Sequence, residues 1–415
     1  MENIFVQIAA YRDPQLIPTL KDCIEKARYP ENLRFGIVWQ HSLEDSWDNL
    51  DEYKQDERFR IVDVDYKESK GVCWARNKVQ TLYQNEEYTL QLDSHHRFVE
   101  NWDEILIDML QGLRHEGHKK PLITGYIPSF NPEKDPEERV QVPWKMNFDR
   151  FIPEGAVFFL PAAFDSWDDK TKPLSARFYS AHFCFTLGQF CLEVQHDPEY
   201  YFHGEEISIA VRAYTHGYDL FHPHKLVAWH EYTRRGRTKQ WDDDKEWGKK
   251  NEKSHRKNRK LFGMDGEVQD IDFGVYGFGK ERTLSDYEKF AGISFKQRAV
   301  TQDVVDKKPP KFENITISDR EFEDSLCYLF KHCIDIEFNQ MPYNDYDFWC
   351  VAFKDEEGKD IYREDSQPEE IEKMKKDPDR YKIWRSFETR KRPKSWLVWP
   401  HSISNGWQNP ITGKL

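Results

Sequence analysis

A chain of 415 residues with 61 Lys and Arg against 74 Asp and Glu carries a net charge of −13, which excludes a nucleic-acid binder working through bulk charge. Hydrophobic residues make up only 38%, yet 14 Trp, 20 Tyr and 28 Phe are too many for a disordered polymer. The composition predicts a folded, aromatic-rich protein with room for one enzyme-sized domain and a smaller appendage.

The opening Met1-Glu2-Asn3-Ile4-Phe5-Val6-Gln7 reads as neither a signal peptide nor an anchor, and no later stretch approaches the roughly 20 apolar residues that cross a bilayer. Ile4 to Ala10 has the length and β-branched content of a buried strand, and Asp13-Pro14 opens a helix marked by Leu16, Ile17, Leu20, Cys23, Ile24 and Ala27. Leu33 to Trp39 and Phe59 to Val64 are the next strands, followed by a helix over Val72 to Tyr83 and a strand over Tyr88 to Leu92. This alternation predicts an α/β domain with a mainly parallel sheet, in which ligands bind beyond the carboxyl ends of the strands. Asn131 to Arg139 reads as a loop; strand character returns at Val157 to Leu160 and Phe178 to Leu187, then a helix over Ile207 to Tyr214 and a strand at Leu226 to Trp229. Between Lys225 and Lys260, 13 basic residues face 6 acidic ones, a balance that predicts a solvated surface first and cover for an anionic ligand second. Past the joint Lys307-Lys308-Pro309-Pro310, short aromatic strands at Ile315 to Ile317, Phe348 to Phe353, Ile361-Tyr362 and Trp396 to Trp399 predict a small β-rich module, a sandwich in form. The seven cysteines, odd in number, mostly in apolar runs and without a Cys-x-x-Cys pair, predict reduced thiols in a cytoplasmic protein.

The chemistry concentrates in Gln91-Leu92-Asp93-Ser94-His95-His96-Arg97-Phe98, where an acid and an imidazole two residues apart follow a buried strand. In extended backbone they share a face and would grip one divalent ion, Mn²⁺ or Mg²⁺ by ligand type. Capping by Asp93 of a helix starting near Val99 accounts for the same residues equally well. Arg76, in Trp74-Ala75-Arg76-Asn77, offers a planar fork of donors for a phosphate, or else pairs with a surface acid. Glu205 and Glu206 open a helix, where one carboxylate suffices as a cap and two exceed that need. His230 follows a strand end as Asp93 does and is the best candidate for a third ligand, with a loop role as the alternative.

Gly71-Val72-Cys73-Trp74-Ala75-Arg76, then Leu92-Asp93-Ser94-His95 and Glu100-Asn101-Trp102, resemble the donor and metal region of the polypeptide N-acetylgalactosaminyltransferases. More closely, Ile8-Ala9-Ala10-Tyr11-Arg12-Asp13-Pro14, Gln91 to Phe98, Ala176 to Phe183 and Phe202-His203-Gly204-Glu205-Glu206-Ile207 resemble the cytoplasmic hydroxyproline N-acetylglucosaminyltransferases that act on a ubiquitin-ligase subunit, and their bacterial relatives. The resemblance runs from about residue 3 to 265 and implies a GT-A-type catalytic domain over residues 1–265; beyond it the residue pattern predicts an extension over 266–310 and a β-rich accessory module over 311–415. The resemblance implies a retaining, metal-dependent transfer from a UDP-sugar, UDP-N-acetylglucosamine first, to a hydroxyl on a protein or glycan, with no nucleic-acid partner. Asp93, His95 and His230 match the metal ligands, Arg76 an arginine near the donor, and Glu205 the acid near the sugar. Ala9, Tyr11 and Arg12 match the strand end where base and ribose lie, with Ser94 beside them; His182 and Trp144 are weaker candidates for lining the sugar and acceptor cleft. Trp74 and His96 depart from the galactosaminyl pattern. A metal-dependent sugar or phosphate hydrolase and a non-catalytic carbohydrate-binding protein are the rival classes.

Overall fold

The computed structural model describes residues 2–267, 271–374 and 380–415. The chain divides into one unit running through Gln297 with Asp303–Ile317, and a second made of Arg298–Gln302 and Ser318–Leu415. In the first, β1 (Ile4–Tyr11) leads through α1 (Leu16–Glu25) to β2 (Leu33–His41) and β3 (Phe59–Asp65), and α2 (Val72–Gln80) leads to β4 (Tyr88–Leu92). After the short β5 (His96–Phe98) and α3 (Trp102–His115) come β6 (Lys120–Thr124), β7 (Trp144–Phe151), β8 (Val157–Ala163), β9 (Leu174–Ser175), β10 (Phe183–Leu187) and the single-turn α4 (Phe190–Glu193). Then follow α5 (Glu205–Thr215), β11 (Tyr218–His222), β12 (Ala228–His230), α6 (Gln240–Asp243), α7 (Trp247–Phe262) and α8 (Leu284–Ala291).

Eight strands form one twisted sheet in the order β3-β2-β1-β4-β10-β6-β11-β9. Its pairings are parallel except where β10 joins β4 and β6 and where β9 joins β11, so the α/β, mainly parallel architecture expected from the alternation is present. Central strands of such a sheet are apolar on both faces because helices cover both. Ile4, Val6 and Ile8 of β1 pack with Leu20 of α1 and with Trp102, Leu106 and Leu110 of α3, while Phe5 on the opposite face packs with Ala75 and Val79 of α2. The register pairs Ile8 of β1 with Leu92 of β4, so the chain leaving each strand emerges side by side. That juxtaposition builds the site. A separate antiparallel pair, β5 with β12, sets His230 opposite His96.

Three expected elements differ. Only Phe183–Leu187 of the Phe178 to Leu187 segment joins the sheet, because side chains take the preceding backbone donors: Ser180 N–H donates to Thr124 Oγ1 (2.9 Å) and Ala181 N–H to Glu206 Oε1 (2.9 Å). Ile315 to Ile317 is not a strand; Phe312–Thr316 turns as a 3₁₀ helix and Phe312 stacks on Phe290 of α8, 4.9 Å between ring centres. The helix expected near Val99 starts at Trp102, with Asn101 as its N-cap, which leaves Asp93 free of any capping role. Residues 271–297, including α8, belong to the first unit.

In the second unit, Leu326–Glu337 pairs antiparallel with Arg380–Thr389, and Tyr346–Lys354 pairs with Asp360–Arg363 and with Ser395–Ser402. Both sheets contribute to one core, with Ile334 and Ile383 from the first and Trp349, Val351 and Val398 from the second, as in a sandwich. Among the described residues no helix is long and apolar enough to cross a membrane.

Candidate active site

The loops after β1 and β4 supply the first layer. Asp93 leaves β4 and His95 stands two residues on, and β12 brings His230 to the same point, so that one ligand atom of each lies within 4.8 Å of the others. His230 Nε2 is 3.4 Å and His95 Nε2 3.7 Å from Asp93 Oδ2. Ligands held about 2.1 Å from one cation stand about 3 to 4 Å from each other, so this nitrogen and oxygen set fits a divalent ion. Burial pushes the His230 imidazole well below its ordinary value, keeping it neutral with a lone pair to give. Burial alone would raise the Asp93 carboxyl, but its polar surroundings, the Arg76 charge among them, outweigh it and hold the carboxyl well below its ordinary value.

Behind His95 stands Asp13, a residue that sequence reasoning took only as the opener of α1. Its buried carboxylate accepts from His95 Nδ1 (2.7 Å), from Ser94 Oγ (2.7 Å), from Arg237 Nη1 (2.6 Å) and from the Gln15 N–H (2.9 Å). Burial opposes its charge, yet His95 and Arg237 hold it well below the usual carboxylate range. An Nδ1–H fixed on Asp13 leaves His95 Nε2 unprotonated and aimed at Asp93, the arrangement by which a supporting carboxylate sets a ligand tautomer. Ser94 therefore supports the site through Asp13. The signal available in the sequence was an acid just past a parallel strand end, the same signal that marked Asp93.

Arg76, on α2 and 5% exposed, reaches Asp93 Oδ1 at 2.8 Å with Nη2 and Glu205 Oε1 at 3.5 Å with Nη1. It thus ties the two carboxylates together while leaving Asp93 Oδ2 toward the histidines. Glu205 begins α5 behind Gly204, whose φ of 99° lies in the left-handed region and where a Cβ would meet Asn258 Nδ2 at 2.5 Å. Glu206 takes a different part: Oε1 accepts the Ala181 N–H (2.9 Å) and Oε2 the Tyr126 hydroxyl (3.1 Å). Burial raises both carboxyls above their ordinary range, helped by the Glu206 charge at Glu205 and by the Asp93 charge at Glu206.

A cavity of about 120 Å³ opens above the cluster, lined among others by Ala9, Tyr11, Val72, Asp93, Tyr201 and Trp241. Ala9 and Tyr11 thus face it. Arg12 does not: its guanidinium holds Asp45 with two bonds of 2.7 and 3.0 Å and Asp243 at 3.2 Å. The segment after β12 closes over this cavity, pinned where the Tyr11 hydroxyl donates to Asp243 Oδ2 (2.6 Å) and where Arg234 lies over Trp241, 5.2 Å from the ring centre. The basic stretch is thus in part a cover, and in part buried, since Lys257 pairs with Asp197 and with Glu199 (2.8 Å). His182 stacks on His230 at 4.2 Å between ring centres, with Nδ1 on Ser180 Oγ (3.1 Å), so it backs His230 and is not among the residues lining the cavity above the cluster. Trp144 borders a larger cavity of about 810 Å³ that shares Asp13 and Arg237 with the smaller one.

No curated protein matches the chain. Among solved structures, GalNAc-T7 with UDP, GalNAc and Mn²⁺ is similar at 12% identity and TM-score 0.47, over 99% of this chain and 68% of that one. Staphylococcus aureus TarS 1–349 with UDP-GlcNAc is similar at 11% identity and TM-score 0.40, over 69% of this chain and 70% of that one. The mannosyltransferase PcManGT of Pyrobaculum calidifontis, with GDP-Man and Mn²⁺, is similar at 11% identity and TM-score 0.37, over 57% and 58%. The family model Glycosyltransferase (GlcNAc) matches residues 3–58 and 48–297, which span β1 through α8 and every residue of the cluster around Asp93, and the chain belongs to that family.

Proposed function

We propose that the chain transfers N-acetylglucosamine from UDP-N-acetylglucosamine to an acceptor hydroxyl, with retention of anomeric configuration and with Mn²⁺ or Mg²⁺ held by Asp93, His95 and His230. The observation that carries this reading is the convergence of those three ligand atoms, with Arg76 and Glu205 alongside. A bound divalent ion would neutralise the diphosphate as it leaves. Asp13 keeps His95 in the ligating tautomer, and Arg76 holds Asp93 so that only Oδ2 faces the histidines. Ala9 and Tyr11 border the uridine end of the cavity, and Arg12 acts through Asp243 by anchoring the covering segment. Arg234 on that segment adds positive charge above the diphosphate. The bond from C1 to the diphosphate oxygen breaks, the acceptor oxygen bonds C1 on the same face, and the acceptor proton passes to the departing diphosphate. No carboxylate base is required, and Glu205 positions sugar hydroxyls beside Arg76. The free cysteines, six of the seven buried, suit a reducing, cytoplasmic location.

The test is UDP release across a panel of UDP-sugars with and without Mn²⁺, using Asp93→Ala and His230→Ala. UDP-GlcNAc is expected to turn over fastest, chelation to stop release, and each variant to lose at least about 100-fold. A variant that keeps full activity removes that residue from the ligand set, and a β-linked product, read from its anomeric proton coupling, removes retention.

A further inference from the structure

The larger cavity, about 810 Å³, shares Asp13 and Arg237 with the donor cavity and is within the range of pockets that enclose small ligands. An aromatic series runs into it from the metal cluster. Tyr232 stands edge-on to His230, 4.3 Å between ring centres, and donates its hydroxyl to Ile127 O at 2.7 Å, while Trp144 packs on Tyr232 at 5.9 Å. Both Tyr232 and Trp144 line the cavity, so its wall is continuous with a ligand of the candidate reaction centre. The polar lining is weighted toward carboxylates: Asp13, Glu133, Glu138 and Glu231 face Arg235 and Arg237. Arg237 is already committed to Asp13 at 2.6 Å and lies 3.6 Å from Glu231. Glu133 has no ion-pair partner among the described residues and is exposed. A wall that joins aromatic faces to carboxylate and amide acceptors, including Gln15, suits the apolar faces and hydroxyls of a sugar, and its charge opposes phosphate.

From this continuity and charge we infer that the cavity is the acceptor site and that the acceptor is an uncharged glycan, its terminal sugar stacked on Trp144 with its hydroxyl directed past Tyr232. The inference rests on the transferase reading and adds the acceptor class to it. The experiment offers the wild-type chain, with UDP-GlcNAc and Mn²⁺, p-nitrophenyl glycosides of glucose, galactose and N-acetylglucosamine, their 6-phosphates, and peptides bearing serine, threonine or hydroxyproline. Neutral glycosides are expected to raise UDP release above the acceptor-free rate and to gain the mass of one N-acetylhexosamine. Trp144→Ala is expected to raise the acceptor KM about five- to tenfold, with the UDP Kd shifted less than about twofold and with Trp144→Phe recovering most of the loss. Glu133→Lys is expected to move the preference about threefold toward the 6-phosphates. Preference of the wild type for peptides or phosphorylated glycosides, no response to any neutral glycoside, or an unchanged acceptor KM in both Trp144 variants would overturn the inference. Failure of the wild type to bind UDP with Mn²⁺ in calorimetry strikes instead at the transferase reading itself, so the two failures are told apart.

Discussion

Replacing Asp13 by Asn tests the electrostatic logic of the site without touching a ligand. The wild-type carboxylate accepts four hydrogen bonds, three of them on Oδ2 from Ser94, His95 and Arg237. An amide turned either way sets its NH₂ against at least one N–H, and with the oxygen toward Gln15 it faces three donors with a fourth. His95 then loses the acceptor that keeps its proton on Nδ1, and a proton on Nε2 removes the lone pair offered to the cation. Losses at supporting carboxylates of this kind are about 10- to 100-fold in metal affinity, which is about 1.4 to 2.7 kcal/mol. Arg237 loses its bond to the Asp13 carboxylate and keeps Glu231 at 3.6 Å and its contact with His95 Nδ1, so the covering segment should also loosen. The assay is Mn²⁺ titration of UDP release, paired with direct Mn²⁺ binding by electron paramagnetic resonance and a far-ultraviolet circular dichroism check of the fold. Asp13→Asn with a half-activating Mn²⁺ concentration within about twofold of wild type would show that His95 needs no such support.

Arg76→Ala should cost about 3 to 5 kcal/mol in stability, because it leaves the Asp93 and Glu205 carboxylates without their shared cation, and thermal melts will read that loss. Arg76→Lys cannot reach both carboxylates with one planar fork, so its kcat should fall well below wild type; an unchanged kcat would refute the bridging role. Burial raises the Glu288 carboxyl to about 7, opposed by the hydrogen bond it accepts from the Phe295 N–H. The folded chain therefore holds this proton where the unfolded chain, near 4.5, releases it; the stabilisation is complete below about 4.5 and is lost as pH rises through about 7. Glu288→Gln should remove that part of the slope, about 2.5 kcal/mol between the unfolding free energies from urea titrations at pH 5 and pH 8. Trp349→Ala, which empties a fully buried site beside Tyr381 in the second unit, should cost about 3 to 5 kcal/mol in that unit's urea transition.

The parts of the site that were legible in the sequence are those whose geometry is local. Asp93 and His95 were legible as an acid and an imidazole just past the apolar run Tyr88 to Leu92, although the strand ends at Leu92 and the chain bends at Ser94, so the alternation expected of an extended chain does not run through them. Arg76 lies one element earlier in the same strand-and-helix alternation. His230 carried the same strand-end signal as Asp93, but its meeting with Asp93 was not legible, since it spans 137 residues through a β5–β12 pairing of three residues, too short to leave a periodic signal. Asp13 carried a local signal that pointed to a helix start, and its second use depends on β1 and β4 being neighbours with Ile8 opposite Leu92.

The two arginines near that strand end show the same division. Arg12 sits in the segment where the resemblance placed the nucleotide, but its backbone turns at a φ of 44° and carries the guanidinium to Asp45, while Arg237, 224 residues from Asp13, fills the place beside His95. Glu205 and Glu206 are separated by helix phase alone: consecutive positions on α5 diverge by about 100°, so one carboxylate meets Arg76 and the other the Ala181 N–H. Sequence could count the two acids but could not phase them, because the reference direction is set by β10 running antiparallel beside β4. Residue identity therefore named the chemistry proposed for this centre, and the register of one parallel and one antiparallel pairing decided which of its near-equivalent side chains converge on it.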